Sequence, residues 1–281
     1  MLLELAIGDA YGAGFEYVSK RITREHNDLS GYIQHPRHGT APGCYTDDTQ
    51  MTLAIAEAIV SDDPWTRDQL ARRFVEVYKR DPREGYARGF RAFLEEVRDG
   101  AEFLDRIRPE SDKSGAAMRA VPSGVYPDVQ TVIARSRLQA AITHDTPGGI
   151  AASVATSLMA HYFLYDLGPK ADLPAFIATH VEGPWTTPWR GKVGAKGLMS
   201  AHAALTAITQ SASLSDLLRR CIALTGDVDT VATIALGAAS CSREIEQDLP
   251  DVLVAGLEDG PYGRTYLQRL DARLRATMDL A

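Results

Sequence analysis

The chain is short of cysteine, of basic runs and of long apolar stretches, and each shortage excludes something. Its 281 residues contain only three cysteines, Cys44, Cys221 and Cys241, far apart and without a C-x-x-C pair. That argues against a disulfide framework or a zinc knuckle and for a reducing cytosol. Thirty basic residues against 37 acidic ones give a net charge of −7, with no basic run. A nucleic-acid surface or an anionic membrane is therefore not expected as the main partner. A small anionic ligand needs only a local pocket and stays open. No uninterrupted apolar run is long enough to span a bilayer, and Met1-Leu2-Leu3-Glu4-Leu5 lacks the basic region of a signal peptide. A soluble, cytoplasmic protein is expected. Strand signals are also scarce: Val and Ile fall inside helical patterns, not period-two runs, and the hairpin dipeptide Asn-Gly is absent.

What is present reads as helix. The apolar spacing predicts helices over 2–12, 48–60, 67–79, 84–98, 127–142, 149–166, 172–180, 195–210, 214–223, 229–241, 248–256 and 262–278. Residues 18–43 read as an extended connection with surface histidines, and its length suits a lid. Hydrophobic residues at 45% support a large core. With no internal repeat or linker, the expectation is an all-α fold, one compact multi-helix domain over 1–281, with a monomer as the default.

Two polar stretches stand out against this apolar background. In Tyr45-Thr46-Asp47-Asp48-Thr49-Gln50-Met51, adjacent carboxylates open a helix with no cation nearby. One Asp or Thr is enough to cap a helix, and two neighbouring acids repel unless a cation or proton joins them. Thr225-Gly226-Asp227-Val228-Asp229-Thr230 repeats the pattern before a second apolar helix. It is no EF-hand loop, because Ala232 and Ala238 stand where the turn Gly and the bidentate Glu belong. Two acid-rich helix starts predict a shared cation site. Hard oxygen ligands favour Mg²⁺ or Mn²⁺, and zinc is disfavoured without His or Cys in either cluster. The four aspartates carry charge for two divalent ions, which at about 3.5–4 Å apart clamp a substrate and activate water. Glu16, beyond the glycines of Gly8-Asp9-Ala10-Tyr11-Gly12-Ala13-Gly14, is either aimed at a site or a solvated loop acid.

These stretches resemble the motifs of the ADP-ribosylglycohydrolases, in order and through nearly the whole chain. Gly8-Asp9-Ala10 with Gly12 and Glu16 is similar to the opening G-D-A-x-G-x-x-x-E, and Thr46-Asp47-Asp48-Thr49 to T-D-D-T. Ser114-Gly115-Ala116-Ala117-Met118-Arg119 resembles N-G-A-x-M-R, Thr143-His144 resembles T-H, and Gly226-Asp227-Val228-Asp229-Thr230 resembles G-D-T-D-T. The resemblance implies a dinuclear Mg²⁺ or Mn²⁺ centre held by Thr46, Asp47, Asp48, Asp227, Asp229 and Thr230. It implies Glu16 as acid–base residue, Asp48 as a further catalytic group, and Ser114, Gly115, Met118 and His144 as the lining of an ADP-ribose pocket. The implied reaction is hydrolysis of the bond between ADP-ribose and an acceptor, with arginine on a modified protein first. Serine-, nucleic-acid- or small-molecule-linked conjugates are alternatives.

Departures from the pattern fall at Ser114, where the family has Asn, and at Val228, where it has Thr. Pro147-Gly148-Gly149 offers bare N–H groups to a pyrophosphate or is an ordinary helix entry. Arg119 meets a phosphate or packs its helix. Trp185 and Trp189 stack on a base or brace a loop. Two other classes compete: an HD-like phosphohydrolase built on His144-Asp145, and a non-catalytic ADP-ribose-binding protein.

Overall fold

A computed structural model describes residues 1–278. Fifteen α-helices account for its architecture, with short 3₁₀ turns at Val121–Val125 and Lys170–Asp172, and no strand occurs among the described residues. The fold is all-α. Isolated backbone bridges such as Glu110 with His144, Lys113 with Lys196 and Val193 with Gly226 tie loops together around one end of the bundle.

The centre is made by helices that are apolar on every side. Every residue of α13 (Val228–Ala239) is buried, as are most of α1 (Leu2–Ala13), α3 (Asp47–Val60) and α9 (Pro147–Leu164). Such helices cannot sit at a surface without exposing apolar area at about 25 cal/mol per Å². α1 and α13 touch backbone to backbone, because a Cβ on Gly8 would lie 2.7 Å from the carbonyl carbon of Ala232 and one on Gly12 2.8 Å from the amide of Asp229. Close approach at these glycines sets the start of α13 beside the end of α1.

Amphipathic helices pack outside this centre. α4 (Arg67–Arg80) buries Leu70, Phe74, Val77 and Tyr78 and exposes Arg67, Arg72 and Arg80. α15 (Arg264–Ala276) buries Leu267, Leu270 and Leu274, and its Asp271 binds the amino group of Met1 at 3.3 Å. The remaining helices are α5 (Arg88–Glu96), α7 (Gly115–Met118), α8 (Val129–Ala141), α10 (Leu173–His180), α11 (Gly197–Gln210), α12 (Leu214–Ala223) and α14 (Asp251–Gly256).

Three short helices depart from the expected pattern, α7 among them. The connection over 18–43 contains α2 (Lys20–His26), capped by Ser19, whose hydroxyl accepts from Ile22. α6 (Gly100–Arg106) follows an Asp99 cap and packs against α4, where a Cβ on Gly100 would lie 2.6 Å from the amide of Arg72. The helix expected over 84–98 starts at Arg88, because Gly85 takes φ +101°, outside the helical region.

Candidate metal centre

The starts of α3 and α13 face each other at one end of the bundle. Their polarity follows from the helices themselves, whose first N–H groups present partial positive charge. Thr46 precedes α3 but makes no side-chain cap of its own. Asp9, from the middle of α1, caps it instead: its carboxylate accepts from the Thr46 and Thr49 amides at 3.0 and 2.9 Å. It also accepts from the Thr46 and Thr49 hydroxyls at 2.7 and 2.6 Å. The Asp47 amide donates to the Glu84 carbonyl at 3.0 Å. Donation to Asp9 leaves the lone pairs of Thr46 Oγ1 free for a cation.

α13 is aimed by a left-handed turn. Thr225 and Gly226 take φ of 63° and 101°, and a Cβ at Gly226 would collide with the Val193 carbonyl. The Asp227 amide donates to that carbonyl at 3.2 Å, and Ser200 donates to the Asp227 carboxylate at 3.1 Å. Across the gap, the Thr230 hydroxyl donates to both oxygens of Asp48 at 3.2 and 3.3 Å. Oxygens of Glu16, Asp227 and Asp229 lie within 4.8 Å of one another. Asp229 Oδ1 is buried with no hydrogen-bond partner.

This density of acid calls for protons or cations to offset the repulsion. Burial, then repulsion from neighbouring acids, holds the carboxyls of Asp47, Asp48 and Asp229 well above the usual range. Burial raises Asp227 to about 6, opposed by hydrogen bonds from Ser200 and Ser114. Burial, then Asp227 and Asp9, raises Glu16 to about 7. An orphaned carboxylate oxygen amid all-oxygen donors fits a hard divalent cation.

These groups form the floor of a cavity of about 490 Å³. Glu16, Asp47, Asp48, Asp227, Asp229 and Thr230 line it together with Ser114, Gly115, Met118 and His144. Thr46 lies just behind the floor, buried and turned to Asp9. Gly85 and Tyr86 add a wall that sequence reasoning missed. Gly85 packs directly on Asp47, where a Cβ would strike Asp47 Oδ1, and the Tyr86 hydroxyl donates to Gln50 at 2.7 Å.

His144 is oriented from behind by a chain that starts at a buried cation. Arg119 is 1% exposed, lies 4.3 Å over the Phe74 ring, and donates to Gln139 Oε1 at 2.7 Å and to Thr143 Oγ1 at 2.8 Å. A guanidinium only donates, so Thr143 accepts there, and its hydroxyl holds His144 Nδ1 at 2.7 Å. The other ring nitrogen, Nε2, faces Gly115, whose Cβ would be 3.1 Å from it. Burial, and then Arg119, pushes His144 down to about 3, so it is neutral at physiological pH.

The structure decides between the alternatives that the sequence leaves open. Arg119 is spent on Gln139 and Thr143, not on a phosphate. Gly148 and Gly149 do not line the cavity, and the Gly149 amide is taken by its own cap, Thr146, at 3.1 Å. Asp145 is exposed and outside the cavity, so an HD-type pair with His144 does not form. Trp185 is buried, with its indole N–H on the Val181 carbonyl, and the Trp189 indole donates to the Gly191 carbonyl. Both brace the 182–191 loop against α11. His35, expected at the surface, is 3% exposed.

Asp9 carries a large share of the stability of this end. Asp9→Ala strands two helix-start amides and two threonine hydroxyls in a buried place, at about 1.5–3 kcal/mol for each bond to a charged group before relaxation. A loss of about 4 kcal/mol in a urea titration is expected. A loss below about 1 kcal/mol would contradict the capping account.

Fold and site together define an all-helical protein with a buried carboxylate cluster, able to hold a cation, at the floor of a pocket. The chain belongs to the ADP-ribosylglycohydrolase family, whose model matches residues 1–280. A relative from Rhodospirillum rubrum, the ADP-ribosyl-dinitrogen reductase glycohydrolase, is 25% identical over 97% of this chain and 93% of its own. The ADP-ribosylarginine hydrolase Tri1 of Serratia proteamaculans is 23% identical over 82% of this chain and 67% of its own. The ADP-ribosylhydrolase ARH3 of Xenopus tropicalis is 29% identical over 63% of this chain, and the match spans 53% of that protein. The chain thus spans about half the length of its ARH3 relatives. A solved ADP-ribosylglycohydrolase-related protein complex superposes with a TM-score of 0.77 at 22% identity, covering 99% of this chain and 96% of its own, which supports the fold alone.

Proposed function

We propose that the protein is a divalent-cation-dependent hydrolase that frees ADP-ribose from a modified protein, with an arginine side chain as the acceptor. The observation that carries this reading is the carboxylate floor of the cavity, with Asp229 Oδ1 buried and unpartnered. Thr46, Asp47, Asp48, Asp227, Asp229 and Thr230 would hold two ions, Mg²⁺ or Mn²⁺, as an all-oxygen set favours. Bound there, the ions supply neutralisation of the acids, an anchor for sugar hydroxyls and acidification of water. The arginine acceptor follows the activity printed for the Tri1 relative. A cytoplasmic setting suits the unpaired cysteines, and no helix among the described residues is long and apolar enough to cross a membrane.

The chain's own residues divide the remaining work. Hydrolysis at the anomeric carbon forms a C–O bond from water, breaks the bond to the acceptor nitrogen and returns a proton to that nitrogen, through an oxocarbenium-like state. Glu16, raised to about 7, is placed to take and return protons near neutrality. Neutral His144 offers its Nε2 edge to the pocket, while Ser114, Gly115 and Met118 shape the wall that receives ADP-ribose. The test is a panel of arginine-, serine- and nucleic-acid-linked ADP-ribose with Mg²⁺ or Mn²⁺. Release from the arginine conjugate at the highest kcat/KM is expected. A preference for another linkage would move the acceptor assignment, and binding of ADP-ribose without cleavage of any conjugate would make this a binding protein.

A further inference from the structure

One buried histidine in the 18–43 connection spends all its hydrogen-bonding capacity on backbone groups around Glu16. His35 Nδ1 accepts from the amides of Arg37 and His38 at 3.1 and 3.0 Å. A ring nitrogen that accepts two N–H groups carries no proton, so the proton is on Nε2. That nitrogen lies 2.8 Å from the Glu16 carbonyl and donates to it. The next amide, Tyr17 N–H, donates to the Gly226 carbonyl at 2.8 Å, and Tyr17 adopts φ 49°. The backbone around Glu16 is thus pinned on one side to the loop that delivers Asp227 and on the other to His35. The same turn places His38 Nδ1 3.5 Å from a Glu16 carboxylate oxygen.

We infer that His35 is a positioning residue whose Nε2–H, by holding the Glu16 carbonyl, aims the Glu16 carboxylate at the Asp227–Asp229 side of the cavity. The inference rests on the acid–base role given to Glu16 above. His35 does not line the cavity and touches no substrate. Its effect is geometric, and small displacements of a reacting group are costly in rate.

Two near-isosteric substitutions in the full chain separate holding Glu16 from merely folding the turn. In His35→Gln the amide nitrogen reaches the place of Nε2 and keeps the donor to Glu16, but the acceptor for the Arg37 and His38 amides is lost. In His35→Asn the amide oxygen keeps that acceptor and the donor is lost. The expected result is that His35→Asn lowers kcat about tenfold or more with KM within about twofold, while His35→Gln stays within about threefold of wild type in kcat. Amide exchange at Tyr17 should accelerate in His35→Asn and not in His35→Gln. Equal loss in both variants, or wild-type kcat and Tyr17 protection in His35→Asn, would overturn the inference. If the wild-type chain released ADP-ribose from no conjugate, the hydrolase reading would fail. The Tyr17 exchange rates, with the ring ¹⁵N shifts that report the His35 tautomer, would then decide the positioning role alone.

Discussion

Asp229→Asn is expected to cut ADP-ribose release by about a hundredfold to ten-thousandfold, while raising the melting temperature of the metal-free protein. Both effects come from one atom. Asp229 Oδ1 is buried without a partner, among Glu16, Asp227, Asp48 and Asp9. In the folded chain without cations its charge is opposed by burial and by every neighbour, so a neutral amide of the same size relieves repulsion. In the enzyme as proposed, that charge would hold the ion, and catalytic contributions of about 10²–10⁴ are lost when such a group is removed. Asp48→Asn should behave alike, since the Thr230 hydroxyl still finds an oxygen there. Thermal scans in EDTA and single-turnover assays with Mg²⁺ read both effects. Lower metal-free stability with loss of the helical circular dichroism signal would show a structural residue, and retained activity would remove Asp229 from the site. This is a stability–function trade of the kind active sites commonly hold.

The second large effect is a dependence of metal-free stability on pH. Glu16 and Asp227 are raised to about 7 and about 6, and Asp47, Asp48 and Asp229 stand well above the carboxylate range. A folded-state pKa above the unfolded value means that the folded chain binds more protons. The contribution to stability is therefore complete below about pH 4 and is lost as pH rises through the folded values. His144, lowered to about 3 by burial, has the opposite sign: it costs stability as pH falls below its unfolded value of about 6.5 and adds nothing above it. The clean window is therefore about pH 6.5 to 8.5. There the protein in EDTA should lose a few kcal/mol, or roughly 5–10 °C in Tm. Divalent cations need the ionised ligands and should restore more stability at pH 8 than at pH 6, with proton release on binding. A flat Tm profile in EDTA, or a Mg²⁺ effect that does not grow with pH, would contradict a cation site at these acids.

What could be read from the sequence was local. Acids and threonines at the first turn of an apolar helix are visible in Thr46-Asp47-Asp48 and in Asp227-Val228-Asp229-Thr230, because the helix period and the capping chemistry lie within a few residues of each other. The all-α class was legible for the same reason. That the two starts meet is tertiary information, expressed in the Thr230–Asp48 contact across 182 residues of sequence. Asp9 gave a fainter signal, an acid inside an otherwise apolar run, and its targets lie 37 and 40 residues away. The burial of His35 and the Arg119–Thr143–His144 chain had none, since a polar residue looks the same in sequence whether its partner is water or a distant backbone group. α2 and α6 escaped because seven residues are too few to show a helical period, although Ser19 and Asp99 carried cap signals.

As proposed, the carboxylate floor works through bound divalent cations to release ADP-ribose. This is tested most directly by following ADP-ribose release from one arginine-linked conjugate with Mg²⁺, after exhaustive EDTA treatment, and after Mg²⁺ or Mn²⁺ is returned. The account predicts release in the first condition, none above background in the second and recovery in the third. Release that continues undiminished in the metal-free protein would contradict it.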